Sequence, residues 1–242
     1  EVGSAGTILT FFPYEGAQLG QAGTGMATQI SYAVPEGSFD FWTGRFNDFR
    51  VSHGEPAEKF GEKYIPFKDP DGLQLELVVL NNGDSRKPWT TDEVNADVAT
   101  RGFHAVTLTL RNIKPTAAVL TDIFEYRLLG QEGNRYRFVT DAVEHAAIID
   151  LVEVPDGIRG EGGAGTNHHI AFRVKNEEVL MQFRKKVAGS GLNITDKIDR
   201  NYFYSYDVNA DRYTRIGSEY VVFGYTMAGT LDPKRKKFVN AG

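Results

Sequence analysis

Three stretches of the sequence line up without gaps: TQISYAV (28–34), FHAVTLT (103–109) and HHIAFRV (168–174). Each alternates apolar and polar residues, the period of a half-buried strand. Gln29, His104 and His169 share one column, spaced 75 and 65 residues apart. The sequence after each strand also repeats. The first is followed by Phe39, Trp42, Phe46 and Phe49 at helical spacing, a stripe that reads as core packing. The second is followed by KPTAAVLTDIFEYRLLG, with Pro115 near the helix start and Gly130 past its end. The third is followed by NEEVLMQFRKKVAGSG, again closed by glycine. Short strands come next in every unit: KYIPFKDPDGLQLELVVL with its DPDG turn, then RYRFVTD and HAAIIDLVEV, then NYFYSYDV and YVVFGYT. A β-α-β-β-β unit present three times predicts an α+β protein of repeated βαβββ modules in curved, mostly antiparallel sheets.

The same pattern divides the chain. Residues 22–82, 100–155 and 164–230 read as the three units, and 231–242 as a short basic tail. Residues 1–16 read as the last strand of a further unit, centred on Thr7–Phe12; the opening lacks Met and runs straight into that strand. The polar stretch 81–101 and the glycine-rich PDGIRGEGGAGTN read as linkers. Units one and two are expected to pair with each other. Unit three then needs the strand at 6–13, or a second chain, to cover its open side, since bare strand edges are normally paired or hidden; a homodimer is the expectation.

Composition removes several functions. The 242 residues carry 27 Lys+Arg against 32 Asp+Glu, a net charge of −5, which argues against a nucleic-acid partner. With no Cys there is no disulfide, thiolate metal site or Cys nucleophile. No apolar run reaches the ~18 residues of a membrane span, so no membrane partner and a cytoplasmic location are expected. The glycine-rich RGEGGAGT is not followed by a helix, so it does not read as a phosphate loop.

The strings GTILTFFPYEGA, GTGMATQISYAVPEGSFDFW, FGEKYIPFKDPDGLQLELV, RGFHAVTLTLRN, GTNHHIAFRV and DRNYF run in order from residue 6 to about 203. In type, order and spacing they resemble the vicinal-oxygen-chelate superfamily, and within it the ring-cleaving extradiol dioxygenases of hydroquinones. The resemblance implies a non-haem metal held by two His and one carboxylate, with open positions for a small aromatic substrate and O2. Fe(II) is the metal it implies first, Mn(II) or another divalent ion second. It makes His169 a metal ligand. His168, Arg200 and Tyr206 (or Tyr213) become the supporting catalytic groups. The family's other His comes from a first module that precedes residue 1 in register, and the family's Glu column holds Phe223, with Glu219 nearby but out of register.

Column matching offers a second set. Gln29, Glu76, His104 and Asp150 fall on first and last strands of units one and two, and this ligand type resembles that of glyoxalase I, a lyase or isomerase. Beside these readings stands a metal-free small-molecule-binding module of the same fold, in which His104 and Glu76 are simply a hydrogen-bonded pair inside the sheet and Arg200 a structural ion pair. His53 and His145 lie in polar stretches and read as surface residues.

Overall fold

The structure is a computed structural model, and it describes residues 9–12, 14–80, 84–172, 174, 176–199, 204–206, 214–216 and 219–221. The first unit runs β1 (Met26–Val34), α1 (Phe39–Asp48), β2 (Ala57–Lys59), β3 (Glu62–Lys68) and β4 (Gln74–Val79). The second runs β5 (Gly102–Leu110), α2 (Lys114–Ala118) extended by a π-helical turn (Val119–Ile123), then β6 (Arg127–Glu132), β7 (Arg135–Val139) and β8 (Ile148–Glu153). Together they build one eight-stranded sheet in the order β2-β3-β4-β1-β5-β8-β7-β6. β1 lies parallel to β4 and β5 parallel to β8, while β1 and β5 pair antiparallel at the centre. The two βαβββ modules therefore pair with each other as expected, and they do so through their first strands.

Alternation along the strands decides what each face meets. Val34, Ile65, Leu77 and Val79 pack on Phe46 of α1, with Phe39 and Trp42 at the margin. The stripe holds for three of its four aromatics. Phe49 caps the end of α1 and stays 62% exposed, because the helix stops before it can turn inward. Trp42 donates its indole N–H to the carbonyl of Val98 (2.8 Å), and Arg45 pairs with Glu93 (2.9 Å), so the stretch read as a linker is fastened over α1.

The sheet curls until its two ends touch. The turn between β2 and β3 reaches β6, where the Phe60 N–H donates to Glu132 Oε1 at 2.8 Å, and the Arg137 guanidinium of β7 lies 4.2 Å over the Phe60 ring. Closure of this kind hides strand edges.

Beyond the sheet lie α3 (Glu177–Gly189) and two short ribbons, β9 (Ile198–Asp199) with β10 (Tyr204–Ser205), and β11 (Thr214–Ile216) with β12 (Glu219–Val221). Asn176 caps α3 by accepting the Val179 N–H at 2.9 Å, and Glu177 and Glu178 favour its positive end. Leu180 and Val187 insert into the helical layer of unit two beside Leu120, Ile123 and Phe124, and Phe172 and Phe183 stack on Phe124 at 5.5 and 5.8 Å.

The third strand expected at His168–Val174 departs from the expectation: no strand is assigned over 168–172, nor over 9–12. Alternation specifies a face, but a strand exists only where a neighbouring strand accepts its ladder, and the described ribbons form sheets of their own. The remainder of Thr7–Phe12, and the tail at 231–242, lie outside the described residues. No described helix is long and apolar enough to cross a membrane.

The glycine-rich segment is more than a linker. Residues 18–24 run against 158–164 through reciprocal backbone bonds: Gln21 with Glu161, Thr24 with Ile158 and Gly160, and Gly20 with Ala164. A Cβ on Gly163 would stand 2.6 Å from the Gly20 nitrogen, and one on Gly20 2.7 Å from the Gly163 nitrogen. Only residues without side chains allow this approach.

Candidate functional site

The interior of the curled sheet is filled by charge. Between the pairs Ser31–Ala105 and Tyr32–Phe103, β5 carries one residue more than β1. That residue is His104, and such a bulge re-aims a side chain. Its Nε2 meets Glu62 Oε2 at 3.1 Å. Glu62 also accepts from Arg137 Nη1 at 2.5 Å, and Arg137 grips Asp150 with Nε and Nη2 at 2.8 and 3.0 Å. Arg135 spans Asp150 and Thr107 at 3.2 and 3.0 Å. A second knot joins Lys59 Nζ to both oxygens of Glu76 at 2.5 Å, with the Ser31 hydroxyl donating to Glu76 at 2.6 Å.

Glu76, Asp150 and Arg137 are at most 2% exposed. Buried charge survives only when paired and hydrogen-bonded, and here three carboxylates face three cations. Burial pushes the Glu62 carboxyl up, but the His104 and Arg137 contacts outweigh it and hold it below the usual carboxylate range. Burial pulls the Lys59 ammonium below its ordinary value, against the opposing pull of Glu76. Arg137 is desolvated too, yet Asp150 and Glu62 keep it more firmly protonated than usual.

The Gln29, Glu76, His104 and Asp150 set thus does not converge on an open point. Glu76 is closed by Lys59, Asp150 by Arg137, and His104 bonds Glu62 instead of Glu76. Gln29 faces elsewhere, onto an open groove of about 260 Å3 shared with Ser52, His53, Lys68 and Gln74. His53 itself is half-buried, not a free surface residue: its ring lies 5.5 Å from Phe46 and its nitrogens meet Gly54 O and Asn47 Oδ1 at 3.0 and 3.2 Å. Sequence reasoning missed Lys59, Glu62, Arg135 and Arg137. A signal was present, since Arg135 and Arg137 sit two apart in a strand and so share its face.

The other candidates lie at the start of the third unit. His168 and His169 are exposed, and their Nδ1 atoms approach to 2.8 Å with the rings at 82°. Beside them Phe12 lies 6.0 Å from the His168 ring and stacks on Tyr14 at 6.1 Å. In such a contact one nitrogen carries the proton and the other offers its lone pair. Two neutral imidazoles joined in this way carry their remaining lone pair on the Nε2 of the donating ring, so the pair fits as one metal ligand beside one proton-holding group. Among the described residues no three His, Asp or Glu side chains gather closely enough to hold a metal by themselves. Tyr206 is buried, with its hydroxyl on the Met181 sulfur and its ring under Arg184. Arg200, Tyr213 and Phe223 lie outside the described residues.

No family model matches the chain. Among curated proteins it is 42% identical over 205 residues to "Putative ring-cleaving dioxygenase MhqO" of Bacillus subtilis strain 168, covering 84% of this chain and 64% of that protein. It is 30% identical over 210 residues to the chlorohydroquinone/hydroquinone 1,2-dioxygenase of Sphingobium indicum, covering 85% and 65%. A Bacillus subtilis crystal structure described as a "putative dioxygenase" superposes with a TM-score of 0.81 at 35% identity, over 96% of this chain and 74% of that one. A glyoxalase I mutant from Zea mays superposes at 0.55 with 12% identity, over 93% and 72%. The last likeness is one of fold, the paired βαβββ units. The chain belongs to the same family as these ring-cleaving dioxygenases. It spans about 64% of the length of MhqO.

Proposed function

We propose that this chain acts in the oxidative cleavage of a hydroquinone-like aromatic ring by O2, in the cytoplasm, with a divalent metal on His169 and His168 beside it. Fe(II) is the metal of first choice and Mn(II) the second. The observation that carries the reading is the paired imidazoles at 2.8 Å, inside a chain 42% identical to MhqO. A metal bound there would supply Lewis acidity and a path for electrons between the ring and O2. The chain's own groups do the rest. His169 offers an imidazole lone pair, and His168 holds or moves a proton at Nδ1. Phe12 and Tyr14 present ring faces on which an aromatic substrate stacks. The resemblance adds Arg200 as a fixed positive charge for a phenolate oxygen. The exposed setting of the pair fits a homodimer or a covering segment that excludes water.

The test is oxygen uptake by the protein after anaerobic Fe(II) loading and desalting, with hydroquinone and chlorohydroquinone as substrates. Uptake that needs both iron and ring, and that falls at least about a hundredfold in His169→Ala, is expected for loss of a metal ligand. Retained iron with oxygen uptake at the buffer rate would overturn the reading.

A further inference from the structure

The histidine pair follows a loop fastened at three points, to Gly20 just before unit one and to Asp71 and Ala27 within it. Gly163 lies against Gly20, where neither position has room for a Cβ. Gly165, at φ +78°, sits on the β3–β4 turn so closely that a Cβ would collide with the Asp71 carbonyl. That turn is itself stiff, because Asp69 Oδ1 accepts from the N–H groups of Asp71 and Leu73 at 3.0 and 2.8 Å. Asn167, the residue directly before His168, donates its side-chain amide to the carbonyl of Ala27 in β1 at 2.9 Å. Within the loop, Thr166 Oγ1 donates to the Gly163 carbonyl at 2.7 Å and accepts the Gly163 N–H at 3.0 Å.

Two adjacent imidazoles on a free loop would sample many relative orientations. Holding the two Nδ1 atoms at 2.8 Å requires the backbone just before them to be held. Among the three fasteners Asn167 is the nearest in sequence and the only one made by a side chain. Ala27 is a firm anchor: it is buried, and it lies where β1 carries one residue, Thr28, more than β5. We propose that Asn167 is the positioning residue of the His168–His169 pair, tying it to β1 so that unit one, whose interior is closed by ion pairs, serves as the jig for a site outside it. This rests on the reading of His169 as a metal ligand with His168 beside it.

The experiment uses the full chain in two arms. In metal-free protein, carbon-13 correlation spectra follow the imidazole C2–H signals of all five histidines. Asn167→Leu has nearly the same shape, no charge and no donor, and it is expected to shift His168 and His169 toward free-imidazole positions while His53, His104 and His145 stay in place. Asn167→Gln, which restores a donor, is expected to return part of the shift. In the second arm, cobalt(II) titration followed by visible absorption is expected to weaken about tenfold in Asn167→Leu, the low end for contacts that orient a ligand. Unmoved His168 and His169 signals in Asn167→Leu, or equal movement of all five, would overturn the positioning role. Cobalt binding by the native chain that His169→Ala leaves intact would instead overturn the metal-ligand reading, and the first arm would still decide what Asn167 does.

Discussion

Arg137 stands between two carboxylates with almost no water beside it, so its removal strands both. Arg137→Met is expected to cost about 3–5 kcal/mol, the usual toll of an uncompensated buried charge, read as a lowered urea midpoint. Lys59→Met together with Glu76→Leu removes a knot whole and is expected to be near neutral, since desolvation cancels much of what a buried pair returns. Acid reaches the same network through Glu62. Its carboxyl is held below the ordinary range when folded, so on acidification the unfolded chain takes up its proton first. Stability from this group is complete above about pH 4.3, the unfolded value, and drains away as pH falls through the folded one. Glu62→Gln should flatten that acid limb in urea titrations run from pH 6 to pH 3. The column that aligned Gln29, His104 and His169 put the first two on the central strands β1 and β5. It held no information about partners, because Glu62 and Arg137 meet only when the sheet curls across 75 residues of sequence.

At the scale of elements, legibility followed locality. The strands β1, β3, β4, β5, β7 and β8 and the DPDG turn each depend on a few neighbouring residues, and each was readable; β2 and β6 were not. The strand at 168–172 depended on a distant neighbour and was not. The helix after β5 was readable at its start but not in its end or its kind: the helical stretch stops at Ile123, Gly130 lies within β6 and not past a helix end, and α2 passes into a π-helical turn over Val119–Ile123 that no spacing of apolar residues announces. Two glycines separate helix propensity from packing. Gly44 lies exposed in the middle of α1 with nothing within 4 Å of a Cβ, so Gly44→Ala should stabilise by about 0.5–1 kcal/mol in thermal melts. Gly23 faces the Ile158 carbonyl in the backbone crossing, where a Cβ has no room. Gly23→Ala should destabilise by about 1–3 kcal/mol, with faster hydrogen exchange at the amides of Gln21 and Glu161.

The whole molecule is held by two different kinds of interior. Apolar packing joins α3 to unit two, and Leu180, fully buried there, should cost about 2–5 kcal/mol on truncation to alanine. Because the core it enters also contains Leu108 and Leu151 of the central sheet, that loss should appear equally in Trp42 fluorescence and in circular dichroism, as one coincident transition. Ionic closure joins the two ends of the sheet, and it carries a consequence of its own. In a metal-built barrel the central cation is on loan from solution, and its occupancy follows supply. Here the cations at the centre are Lys59 and Arg137, covalently part of the chain. No chelator competes for them and no shortage empties their seats. The paired units are expected to keep their shape with or without bound metal, so the metal site proposed for the third unit would be carried on a frame indifferent to its occupancy.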